Sequence, residues 1–301
     1  MVSLDADQLG LITRFLDALW LEEGLAAQSR AAYGSDLRGY ARWLSERGET
    51  LPDAGRHQLL GYLSERVAGG ARPRTTARML SSLRRFYRWQ RREGLIDIDP
   101  TADVALPQVG RLLPKPLGEQ AVERLLDAPD LDTALGLRDK AMLELLYGSG
   151  LRVSELISLC LDQIDLYQGV VRVHGKGGKS RLVPMGECAL DWLQRYLDEA
   201  RPALLRQRLD SALFVTSRGS AMTRQAFWYR VRKLAVQAGF DASVSPHTLR
   251  HTFATHLLNH GADLRAVQLL LGHDNLSATQ IYTHVALQRL QDLHREHHPR
   301  G

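Results

Sequence analysis

The sequence predicts a mainly α fold with a small β-sheet, split between a helical N-terminal domain and a mixed α/β C-terminal domain. Three observations predict it. Apolar residues recur at the 3.6-residue period along most of both halves. Between Asp99 and Gln120 the pattern breaks at Pro100, Pro107, Pro114 and Pro116, with Gly110 and Gly118, which marks an extended linker. From Val170 to Pro184 apolar and polar residues alternate about a glycine-rich turn, as in a hairpin. At 301 residues, two domains are expected, each long enough to bury its own core.

In the first half, Ile12, Phe15, Leu16, Leu19 and Trp20 share one face of a helix over Leu9–Leu21, which Gly24 ends. A second helix, Gln28 to Arg47, turns Tyr33, Leu37, Tyr40, Ala41 and Leu44 to one side. Pro52 and Gly55 punctuate, and a third helix near His57 to Val67 closes at Gly69-Gly70. Residues 72 to 92 carry eight arginines and no acid before Glu93. On a helical wheel Arg74, Arg78, Arg85, Arg88 and Arg92 share a narrow arc opposite Met79, Leu80, Leu83, Phe86 and Tyr87. A solvated basic face is the bland explanation. A one-sign face without acidic i+4 partners suits a duplex backbone better, where each neutralised phosphate releases counterions.

The second half opens with helices near Gly118–Asp127 and Leu135–Tyr147, the latter stopping at Gly148-Ser149-Gly150. Arg152 then sits at a helix start behind a glycine turn, where an arginine and free N–H groups favour phosphate. Glu155, three residues on, either orients that arginine or forms a plain surface pair with it. The hairpin strands are Val170–His174 and Ser180–Pro184, with Gly175-Lys176-Gly177-Gly178-Lys179 as the tip. A helix over Glu187–Glu199 and a short strand at Leu213-Phe214-Val215 follow. Thr223 caps a helix to about Ala238, whose Arg224, Arg230, Arg232 and Lys233 are candidates for DNA contact or for solvation, and whose Phe227, Val231, Leu234 and Ala235 suit a core. Ser245 is a good N-cap and Pro246 a good first helical residue. His247 and Arg250 then lie on one face of the first turn, beside unpaired backbone N–H groups and the positive end of the helix dipole. Helices continue over His251–His260 and Leu264–Leu271, and a last one over Val285–His298 carries Leu287, Leu290 and Leu293.

An arginine, a histidine and a helix start make a phosphate site, and Tyr282 lies downstream of it. A tyrosine hydroxyl attacks phosphorus if its proton is withdrawn and the oxyanions are stabilised, since its free pKa is about 10. The net charge of +5 and the sequence pI of about 9.3 fit a polyanionic partner. Cys160 and Cys188 have no C-x-x-C spacing, so a reducing cytoplasm is expected rather than a disulfide framework. The acidic first residues lack a basic region before an apolar core and no run of 18 apolar residues appears, so neither a signal peptide nor a membrane span is expected. Nine of the eleven histidines fall between His247 and His298, and His256 with His260 has chelating i, i+4 spacing. No cysteine pair or carboxylate cluster completes that site, so no metal is expected.

Taken together, Gly150-Leu151-Arg152-x-x-Glu155-Leu156, His247-x-x-Arg250, Leu271-Gly272-His273 and Tyr282 resemble, in order and spacing, the tyrosine recombinases, the site-specific DNA integrases. The resemblance implies a helical N-terminal core-binding, SAM-like DNA-binding domain over 1–106, a linker over 107–117, and a mixed α/β catalytic domain over 118–301. It implies that the two close as a clamp on duplex DNA. It makes Tyr282 the nucleophile that leaves a 3′-phosphotyrosine bond, and Arg152, Arg250 and His273 the groups that stabilise the transition state. Lys176 would protonate the leaving 5′-oxygen, His247 would bind phosphate, and Glu155 would give support. Lys179 and Arg181 are read as phosphate contacts beside Arg74, Arg78, Arg85, Arg88, Arg92 and Arg224. The ester stores the bond energy, so no cofactor or metal is needed. As partners the resemblance implies a paralogous recombinase in a heterotetramer, a dif-type site near the chromosome terminus, and a septal DNA translocase as activator. It also implies a C-terminal tail that docks on a neighbouring protomer. A type IB topoisomerase-like enzyme, which relaxes supercoils alone, and a non-enzymatic basic DNA-binding protein, indifferent to Tyr282→Phe, are the rival readings.

Overall fold

The computed structural model describes residues 4–105, 116–174, 180–241, 244–272 and 284–300. The chain divides into two compact units, Met1–Leu112 and Leu113–Gly301. Most of the linker expected over 107–117 lies outside the described residues.

The first unit is helical: α1 (Ala6–Glu23), α2 (Ala27–Ser45), α3 (Arg56–Ala68) and α4 (Pro73–Arg92). Gly24 caps α1 in the left-handed conformation, its N–H on the Trp20 carbonyl and the Leu25 N–H on that of Leu19. The apolar stripes meet in one core in which Phe15, Leu37, Tyr40, Leu44, Leu80, Leu83, Phe86 and Tyr87 are fully buried. Phe15 and Phe86 meet edge to face at 5.3 Å between ring centres. The Tyr87 hydroxyl donates to the Leu51 carbonyl at 3.0 Å, and Arg84 donates to that of Val104 at 2.6 Å.

The second unit is built around α6 (Ala134–Ser149), which is buried on almost every side. A helix enclosed in this way has no polar face to give solvent. Its charges are therefore paired internally. Asp139 accepts from Arg138 and from Arg230, at 2.7 Å to each Nη2 and Nε respectively. Glu144 lies 3.0 Å from Lys140 and 2.8 Å from Arg300. Around α6 stand α5 (Glu119–Leu126), α7 (Val153–Ile157), α8 (Glu187–Arg195), α9 (Arg201–Leu205), α10 (Arg224–Gln237), α11 (Pro246–Asn259), α12 (Leu264–Leu271) and α13 (His284–His297).

The sheet is antiparallel and three-stranded, in the order β1 (Ile164–Asp165), β2 (Val170–His174), β3 (Ser180–Pro184). The hairpin falls where the alternation put it, with Arg172 opposite Leu182. The two-residue β1 pairs with Val170 and Val171 and was not expected. The strand expected at Leu213–Val215 does not form; only isolated bridges, Cys160 to Ala212 and Val215 to Ala221, occur there. The Leu213 N–H donates to the Leu159 carbonyl at 2.8 Å, and side chains take its own carbonyl. Tyr196 and Arg201 donate to the Leu213 carbonyl at 3.0 and 3.2 Å. The helix expected to run to Glu199 leaves α form after Arg195, passes through a π turn at Tyr196–Ala200, and resumes as α9.

Candidate active site

Three helix ends bring the site together. Gly150 closes α6 at φ 59°, and a Cβ there would lie 2.3 Å from the Phe253 ring. Both its left-handed backbone and its close approach exclude a side chain. Two residues on, Arg152 is the N-cap of α7, and Glu155 reaches back from the third helical position to accept from the Arg152 backbone N–H at 2.8 Å. The same carboxylate accepts from the Arg152 side chain at 2.9 Å. The Arg152 guanidinium also donates to the Gly272 carbonyl, 2.9 Å away, at the end of α12.

Arg250 comes from the first turn of α11. Ser245 caps that helix, its hydroxyl accepting from the Thr248 N–H at 3.3 Å, with Pro246 in the first position. The Arg250 guanidinium spans two helix ends, donating to the Gly150 carbonyl at 2.6 Å and to the Leu271 carbonyl at 2.7 Å. It lies 3.9 Å from Glu155. Carbonyls at helix C-termini carry partial negative charge and lack helical partners, so two guanidinium groups suit them. The Arg250 side chain is 11% exposed and that of Arg152 43%, so Arg152 is the open member of the pair. Burial, and then the neighbouring Arg152, push the Arg250 pKa down to about 10, which leaves it charged at neutral pH. His247, on the same turn, is exposed.

Sequence reasoning did not foresee what lies beneath this pair. Arg181, on β3, is buried and donates to both Glu155 oxygens, at 2.8 and 3.0 Å. It was read as a phosphate contact; the structure puts its guanidinium under the site, facing a carboxylate rather than solvent. Burial works against the Glu155 charge, yet Arg181 and then Arg152 hold its carboxyl below the ordinary carboxylate value. Lys176, Lys179, His273 and Tyr282 lie outside the described residues.

The basic face of α4 also differs from the expectation that it lacks acids. Arg78 pairs with the buried Asp36 of α2, which also accepts from Ser82 at 2.7 Å. Arg85 pairs with Glu23, and Arg92 with Glu22 at 2.7 Å. Arg74 and Arg88 are exposed without an ion-pair partner among the described residues, and so is Arg224 on α10. The α10 arginine Arg230 is turned inward to Asp139.

The chelating spacing of His256 and His260 serves another end. The His256 Nε2–H donates to the Leu117 carbonyl at 2.8 Å, which leaves Nδ1 to accept from the Tyr147 hydroxyl, also at 2.8 Å. Among the described residues no group of His, Cys, Asp and Glu side chains is placed to hold a metal. The tail packs on its own unit: Leu290 and His294 of α13 are buried, His294 donates to the Gly148 carbonyl, and His298 stacks on it at 4.7 Å. No described helix is long and apolar enough to cross a membrane.

Comparison with known proteins shows the family. Residues 115–289 match the phage integrase family, and residues 12–94 match the phage integrase N-terminal SAM-like domain. The chain is 60% identical over 291 residues to the tyrosine recombinase XerD of Pseudomonas putida, covering 97% of this chain and 98% of that one. It is 60% identical to the XerD of Pseudomonas aeruginosa over the same span, with the same coverage. Among solved structures, XerH bound to difH substrate before cleavage superposes with a TM-score of 0.68 at 21% identity, covering 97% of each chain.

Proposed function

Because the chain belongs to the phage integrase family and is a site-specific tyrosine recombinase, an enzyme that breaks and rejoins DNA, we propose that it acts beside a XerC-like partner at a dif-type site and resolves chromosome dimers before cell division. The observation that carries the catalytic part is the meeting of Arg152 and Arg250 on the carbonyls of Leu271 and Gly272, immediately before His273. Two guanidinium groups held by backbone rather than by each other are pre-oriented for the non-bridging oxygens of one phosphate.

In this reading the phosphate replaces carbonyl contacts on the open face of Arg152. Tyr282 attacks phosphorus, the P–O5′ bond breaks, and a 3′-phosphotyrosine ester forms. Lys176 gives its proton to the departing 5′-oxygen, and His247 binds phosphate and takes part in proton transfer with Tyr282. Arg152, Arg250 and His273 bear the charge of the pentacoordinate state. The 5′-hydroxyl of a partner strand then attacks the ester and releases Tyr282, so bonds made equal bonds broken. A septal translocase as activator, a tetramer of two protomers of each recombinase and a cytoplasmic setting complete the reading, which similarity to XerD supports.

Trapping on a nicked dif-type duplex tests it, because the cleaved strand diffuses away and leaves the ester. A covalent band on a denaturing gel, lost in Tyr282→Phe, is expected when the XerC-like partner is present. Absence of the band in the parent with DNA binding intact would sink the assignment. Relaxation of supercoils at unspecific sites by the lone protein would move it to the topoisomerase class.

A further inference from the structure

Arg181 comes from β3, the strand that follows Lys176 in the sequence, and its guanidinium ends against Glu155 of α7. It makes a two-pronged contact with Glu155, at 2.8 and 3.0 Å. Its Nε is buried and has no hydrogen-bond partner among the described residues. Gly272 lies flat against it: a Cβ on Gly272 would come within 2.8 Å of the Arg181 Cζ and Nε. Gly272 is also at φ 66°, so its lack of a side chain serves both the turn and the arginine. One buried cation thus touches the acid that aims Arg152 and underlies the residue whose carbonyl receives it.

We propose that Arg181 is a positioning residue for the reaction: wedged between Glu155 and Gly272, it fixes the carboxylate that aims Arg152 and seats the turn that precedes His273. The proposal rests on the recombinase reading of Arg152 and goes beyond it. Arg181 does not touch DNA. Without it Glu155 would be a buried carboxylate facing Arg152 on its own helix and Arg250 on α11 at 3.9 Å, the other charged groups that face it among the described residues. Arg250 is held by two carbonyls and is not free to turn toward it. Removing the cation therefore leaves the acid under-compensated: while ionised it draws on Arg152, and as acid is added it takes up a proton at a higher pH than in the parent. In either case the phosphate loses its open guanidinium. Outer partners that orient metal ligands typically change activity about 10- to 100-fold when removed, and the same scale is expected for one that orients a guanidinium.

The test uses the full-length protein on the nicked dif-type duplex with the XerC-like partner in every arm. It reads the rate of covalent-ester formation from pH 5 to 8, duplex affinity by gel shift, and the melting temperature. Arg181→Met is expected to form the ester about 10- to 100-fold more slowly at pH 7 while binding the duplex as the parent does. Its rate is expected to fall at a higher pH than the parent's as acid is added, because Glu155 has lost the partner that kept it ionised. Glu155→Gln with Arg181→Met removes both buried charges together; it should stay slow and lose that shift. If Arg181→Met fails to fold, the double variant decides: slow ester formation with affinity retained supports the proposal, and a parent-like rate overturns it. A uniform loss at every pH in Arg181→Met, or an acid shift that persists in the double variant, also overturns it. A parent that forms no Tyr282-dependent ester overturns the functional reading and this proposal with it, whereas a parent that does, beside an Arg181→Met protein of equal rate and profile, overturns this proposal alone.

Discussion

Arg250 is held more deeply than Arg152, and its contacts say what can replace it. The guanidinium bridges the ends of α6 and α12 through Gly150 and Leu271, at 2.6 and 2.7 Å. A lysine has one nitrogen on a flexible stem and cannot hold both carbonyls and also present an N–H to phosphate. The surroundings that lower the arginine to about 10 do so first by burial and then by repulsion from Arg152. Both act on an ammonium as well and lower its pKa, so it loses its proton more readily than a free lysine. Arg250→Lys is therefore expected to cut covalent-ester formation about 10²- to 10³-fold, in the range of losing one transition-state donor. The deficit should shrink as pH falls from 9 to 7, since the lysine regains its proton. A pH-independent deficit in the trapping assay would show that geometry alone matters.

At the scale of the element, α4 separates charges that hold the fold from charges free to meet DNA. Asp36 is 8% exposed and rests on Arg78 and Ser82. Arg78→Ala leaves that acid with the hydroxyl alone, so it is expected to cost about 1–3 kcal/mol of stability. Arg88→Ala removes an exposed cation and should leave stability unchanged. If Arg88 neutralises one phosphate, its loss weakens duplex binding and reduces the slope of log K against log salt by about 0.9. Melting curves and a salt titration for the two variants check this; equal effects on both readouts would mean that the face is not divided in this way. The helix itself was legible in the sequence because its two sides are set by local spacing. Its ion pairs were not, because Asp36, Glu23 and Glu22 lie 42, 62 and 70 residues away. The site divides along the same line. Arg152 with Glu155, and His247 with Arg250, are local pairs and could be read from spacing. The Arg181 contact crosses 26 residues, and the carbonyls of Gly150, Leu271 and Gly272 carry no side-chain signal at all. The strand expected at Leu213–Val215 failed for a related reason: its apolar run is core, but Tyr196 and Arg201 from a neighbouring helical segment take the Leu213 carbonyl.

At the scale of the whole molecule, the two units have separate cores and nearly separate histidine inventories. The first unit holds His57 alone, and it is exposed. The second holds a buried cluster where the tail meets α6 and α11. Burial pushes His294 from 6.5 down to about 4, and pushes His298, then also repelled by His294, well below its ordinary value. His256 is lowered by burial as well. The folded state thus favours neutral rings, and the unfolded chain binds more protons below pH 6.5. The stabilisation is fully present above that pH and is lost as pH falls toward 4; for His294 alone it amounts to about 3 kcal/mol. Calorimetry should therefore show two transitions, of which the one belonging to the catalytic unit moves down between pH 6.5 and 5 while the other stays. His298→Phe keeps a ring packed at a tilt on Tyr147 and stacked on His294, at 4.8 and 4.7 Å, and removes the buried Nε2 that has no partner among the described residues. That variant is expected to flatten the acid dependence of the catalytic transition. The same slope in the variant as in the parent would mean that the tail's histidines do not carry the effect, and that carboxylates such as Glu144, which ties Arg300 to α6 at 2.8 Å, carry it instead.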